Sequence, residues 1–120
     1  MTQPYDTWIE HRRDDGERVG WIRPEGDHYL PIDLLGRECA PPMEWLSAER
    51  VLNDRGIAYL ADLYELARPD GSWLRVRIVE VSPEGIRVKK DDFGAINAEQ
   101  LYFELPFPLM NDLLRPYGHE

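Results

Sequence analysis

The residues of this chain best suited to hold a metal are His11, Asp27 and His28. Two imidazoles and a carboxylate suit a divalent transition ion, and strands one and three of a meander flank strand two, which could bring the three together. No H-x-x-x-H or C-x-x-C spacing supports them, and the third histidine, His119, lies in the tail. Nucleophiles are fewer still. Ser47, Ser72 and Ser82 each stand at a cap or turn that already explains a hydroxyl. Cys39 precedes Ala40-Pro41-Pro42 with Arg37 nearby and Glu38 adjacent, which gives no clear push toward thiolate. No G-x-S-x-G, Walker loop or dinucleotide fingerprint occurs. The acidic pairs Asp14/Asp15 and Asp91/Asp92 fall in turn sequences where water solvates them. An enzyme is therefore not the expectation, and no cofactor is implied.

Aromatic and arginine side chains are the more distinctive stock. Trp8, Trp21, Trp45 and Trp73, with Tyr29, Tyr59, Tyr64 and Tyr102, exceed what a minimal core requires, and Trp73 shares alternating positions with Arg75 and Arg77. Such residues suit a protein-binding surface. A nucleic-acid surface would need Arg75, Arg77 and Lys89, with Arg87 and Lys90, gathered on one face. The net charge of −9 opposes that. The sign holds in both halves, with 6 basic against 12 acidic residues in 1–54 and 8 against 11 in 55–120.

The elements that must position these groups start with Trp73 to Lys90. This run alternates at period two, turns at Ser82-Pro83-Glu84-Gly85 and alternates again, so it predicts a β-hairpin. Leu74, Val76 and Ile78 share one face with Ile86 and Val88. The other face takes Trp73, Arg75, Arg77, Val79 and Val81, with Arg87 and Lys89. Residues 8–36 predict a three-stranded meander with turns at Asp14–Glu17 and Pro24–Asp27, closed by a turn at Asp33–Arg37; Pro31 marks its third strand as an edge. A helix over 47–55 follows, with Ser47 as N-cap and Gly56 past its end. Ile57 to Ala67 is ambiguous between helix and strand. The turn chemistry of Arg68-Pro69-Asp70-Gly71 decides for a strand over Leu63–Arg68, paired with Trp73–Val81. A turn at Asp91–Gly94, a last strand over Gln100–Leu105 and a short tail complete the chain.

The run Asp70-Gly71-Ser72-Trp73-Leu74-Arg75-Val76, then Asp92-Phe93-Gly94-Ala95, then Leu105-Pro106, resembles a Tudor domain. The resemblance covers residues 61–106 and implies an SH3-like β-barrel. Tudor domains hold methylated Lys or Arg in an aromatic cage. Carried over by position, Tyr64 and Phe93 keep rings, whereas Leu74 and Lys90 stand where rings are expected and Ala95 where an Asn is. Glu80 to Gly85 also looks like the second motif of PilZ domains, [D/N]-x-S-x-x-G, which implies cyclic di-GMP. Glu80 replaces the Asp or Asn, and the R-x-x-x-R that grips the phosphates is missing.

The expectation is one compact, mostly β domain over 1–120 with one short α-helix: two antiparallel meanders, the C-terminal half an SH3-like barrel. Its expected role is a non-catalytic binding or interaction module whose partner is another protein or a second copy, through Tyr64, Trp73, Arg75, Arg77 and Phe93. The metal set His11/Asp27/His28 is the alternative and nucleic acid through Arg75/Arg77/Lys89 the third reading. With no apolar run of membrane-spanning length and no leader pattern, a cytoplasmic protein is the default.

Overall fold

Backbone pairing, rather than helix packing, organises the chain: it is mostly β, with two antiparallel sheets. The computed structural model describes residues 7–91, 100–109 and 112–118. Two compact units divide the chain, Met1–Tyr59 and Leu60–Glu120.

The first unit holds β1 (Ile9–Arg12), β2 (Arg18–Glu25) and β3 (His28–Ile32) in that spatial order, followed by α1 (Trp45–Arg55). The meander stands where the sequence places it, but its second turn is tighter. Pro24 lies inside β2 opposite Tyr29, and Glu25 pairs with His28 around Gly26-Asp27. Pro24 fits because Tyr29 turns its N–H and C=O outward, to Met43, so the Pro24–Tyr29 pair needs no ladder bond. Pro31 follows the same rule, its carbonyl accepting from the Cys39 N–H on the outer side of β3. The segment after β3 thus runs back along the sheet edge and covers it.

That return also sets the start of the helix. Met43 exchanges both backbone bonds with Tyr29, at 2.7 and 2.8 Å, and the next residue, Glu44, is still extended. α1 therefore begins at Trp45, not at Ser47, and has no side-chain N-cap. Trp45 meets the Tyr29 ring edge-on at 5.3 Å. Ala48 and Leu52, one turn apart, close against Val19 and Ile22 to form the core of this unit. Gly56 ends the helix at φ 60°, its N–H on the Leu52 carbonyl.

A 3-10 turn (Ala58–Ala61) spans the boundary, and the second unit holds β4 (Leu63–Ala67), β5 (Trp73–Ser82), β6 (Gly85–Lys90), β7 (Tyr102–Leu105) and β8 (Leu114–Pro116). The strand assigned to Leu63–Arg68 is there, and it pairs with β5 as the turn chemistry predicts. The sheet order is β7-β6-β5-β4-β8. Among the described residues the expected SH3-like barrel is not closed: β8 takes the outer edge of β4 that closure requires. The sheet curls nonetheless. The Arg68 guanidinium just past the end of β4 stacks 4.7 Å from the Phe103 ring on β7, three strands away in sheet order.

One face of this sheet is core, with Tyr64, Leu66, Val76, Ile86, Val88, Leu105 and Leu114 all buried. A bulge between Ile78 and Glu80 inserts Val79 as an extra residue. Parity therefore changes along β5, and Val81 joins Ile86 on the core side instead of sharing the Trp73 face.

Candidate functional site

The proposed metal set is not assembled. His11 aligns with Gly20 and His28 with Glu25, five positions apart on β2, or roughly 16 Å along the strand. His11 is instead engaged by α1, its Nε2 lying 3.0 Å from Asn53 Oδ1 and its Nδ1 3.4 Å from Glu49 Oε2. Among the described residues no three His, Cys, Asp or Glu side chains are placed to hold a metal. The hollow beside Asn53, about 380 Å³, is lined by Arg13, Asp14 and Asp15. Asp15 is already committed there, to Arg13 and to the Glu17 N–H.

The first unit also carries a buried polar cluster that the sequence showed only as a turn. Asp33 is 2% exposed. Its Oδ1 accepts from the N–H of Leu35 and Arg37 at 2.9 and 3.0 Å, and its Oδ2 from Arg55 at 3.0 Å. Arg55 in turn stacks 4.3 Å from the Tyr59 ring, and the Tyr59 hydroxyl accepts from the Leu34 N–H. Burial, reinforced by the Asp33 charge, pushes the Cys39 thiol up to about 12 and raises the Tyr59 phenol as well. Neither group is thereby a nucleophile at neutral pH. The arrangement pins the 33–37 turn to the end of α1.

A pH dependence follows. Both groups keep their protons in the folded chain to higher pH than in the unfolded chain, where they ionise near about 8.5 for Cys and about 10 for Tyr. Their contribution is complete below those values and is lost as pH rises through the folded ones. The urea midpoint is expected to fall from about pH 8.5 upward, less steeply below about pH 10 in Cys39→Ala and less steeply above about pH 10 in Tyr59→Phe. A flat or rising profile contradicts this.

The solvent face of the second sheet brings more together. Cross-strand register places Asp91, just past the end of β6, in one row with Arg75, Glu65 and Arg115 on β5, β4 and β8, alternating in sign. Asp91 Oδ2 lies 2.8 Å from Arg75 Nε, and its Oδ1 3.5 Å from Arg77 Nε. Glu65 Oε1 accepts from Arg115 at 3.0 Å. The next row holds Tyr102, Lys89, Arg77 and Leu63, and the third Glu104, Arg87 and Glu80. Arginines lie over the aromatic rings of this face: Arg115 at 3.7 Å from Trp73, Arg87 at 4.5 Å from Tyr102, Arg75 at 5.3 Å from Tyr117. Each stack restrains both partners.

Three of the residues singled out in the sequence, Trp73, Arg75 and Arg77, therefore share one face, and Lys89 joins them. Tyr64 does not: it points to the opposite, buried side beside Val76. Phe93 lies outside the described residues. Arg75 and Arg77, of the set Arg75/Arg77/Lys89 weighed for nucleic acid, both engage Asp91 within the chain. Arg115 and Tyr117 were missed, because β8 is too short to leave a periodic signal.

No protein-family model matches the chain, and no curated protein or solved structure is similar enough to count as a match. No helix among the described residues is long and apolar enough to cross a membrane.

Proposed function

We propose that the chain is a non-catalytic interaction module whose contact surface is the solvent face of the β7-β6-β5-β4-β8 sheet. The observation that carries this reading is the clustering of exposed apolar groups. Of the large hydrophobic side chains exposed among the described residues, Trp73 (36%), Val79 (49%), Tyr102 (45%) and Tyr117 belong to this sheet and its end, against Ile9 and Leu46 elsewhere. Aromatic and arginine side chains dominate the energetics of protein interfaces, and those held in place beforehand lose less freedom on binding. Here stacking holds them.

Photo-crosslinking in the cells that make the protein tests the reading. A photoreactive side chain at position 102 is expected to capture a partner, and one at Ile9 on the first sheet is expected to capture little. Equal yields from the two positions, or none from position 102, contradict it.

A further inference from the structure

We infer that the partner of this face is a second copy of the same chain, joined about a two-fold axis. The inference rests on the interaction-module reading and adds the identity of the partner. It comes from the order of charge along the strands. Counting the three cross-strand rows, the face carries five cationic and four anionic side chains on a chain whose net charge is −9. The excess negative charge therefore lies elsewhere, and two copies can meet here with less repulsion than the net charge would impose.

The signs are also arranged for self-pairing. The row with Arg77 and Lys89 is positive, and the neighbouring row with Glu80, Arg87 and Glu104 is negative, with Glu84 at the turn just beyond. The exposed Val79 lies between Arg77 and Glu80 on β5. A two-fold axis crossing the strands at that level sets the positive row of each copy over the negative row of the other. It forms the same contact twice, as a self-complementary interface must. A basic partner would meet repulsion at the Arg77/Lys89 row and an acidic one at the Glu80/Glu104 row, so a surface bearing both signs in mirrored order is the best fit.

Sedimentation of the full chain tests this by exchanging charges. The parent chain is expected to dimerise, more weakly as salt rises. Glu80→Lys with Glu104→Lys, and separately Arg77→Glu with Lys89→Glu, are each expected to raise the dimer dissociation constant about tenfold or more. Mixing the two variants restores a dimer, because each altered row then faces its opposite on the other chain. Circular dichroism establishes that each variant is folded; where one is not, Glu80→Gln with Glu104→Gln reads the same weakening. A parent chain that stays monomeric at every concentration overturns the inference, as does a mixture no more dimeric than its components. If position 102 still crosslinks to a protein of different mass, self-pairing alone has failed and the interaction face stands. No capture from that position fails the underlying reading itself.

Discussion

Gly20→Ala is expected to cost at least about 3 kcal/mol, lowering the thermal midpoint by roughly 10 °C or more. Gly20 lies within β2, opposite His11, where α1 closes on the sheet. A methyl group there would run into the carbonyl oxygen of Ile32 and come within 3.0 Å of Leu52 Cδ2. The first obstacle is backbone of the neighbouring strand, which can move only by opening the β2–β3 register. The second is the centre of the unit's core. The residue's φ of +154° adds strain for any side chain. Thermal unfolding followed by circular dichroism reads the loss, and a midpoint within about 3 °C of the parent contradicts the placement of α1 over β2.

Asp33→Ala is expected to destabilise by about 3 kcal/mol, the second largest effect of a single substitution. It removes the acceptor of two backbone N–H groups, Leu35 and Arg37, and takes the counter-charge from Arg55. Arg55 is partly exposed and water can replace some of its loss, so most of the cost lies with the two amides inside the turn. Asp27→Ala, at an exposed turn position, is expected to stay within about 0.5 kcal/mol of the parent. Urea denaturation compares the two. Equal midpoints would mean that Asp33 does not tie the turn to α1.

What could be read in the sequence was what local pattern determines. The alternation of Trp73–Lys90 and the Ser-Pro-Glu-Gly turn locate β5 and β6 because side-chain period and turn chemistry agree there. Arg68-Pro69-Asp70-Gly71 likewise places β4 beside β5. The bulge at Val79 left no such mark: with Ile78, Val79 and Val81 all β-branched, Val79 as the extra residue is invisible, and Val81 falls on the face opposite to the one plain alternation gives it. Ser47 looked like a cap, yet the start of the helix is set by Met43 pairing with Tyr29, a contact no local window contains. Asp33 looked like one more turn aspartate, because Arg55 and Tyr59 approach it from far along the chain. For the candidate surface, Trp73, Arg75 and Arg77 were legible as one side of a strand. The alternating rows were not, since they exist only once register sets Glu65 between Arg75 and Arg115.

Of all these measurements, intact-mass analysis of the adducts captured from position 102 in living cells bears most directly on the claim that this chain works through the solvent face of its second sheet. The account predicts an adduct of twice the mass of the chain, abundant from position 102 and scarce from position 9. Adducts as abundant from position 9, or a chain left uncaptured at position 102, would contradict it.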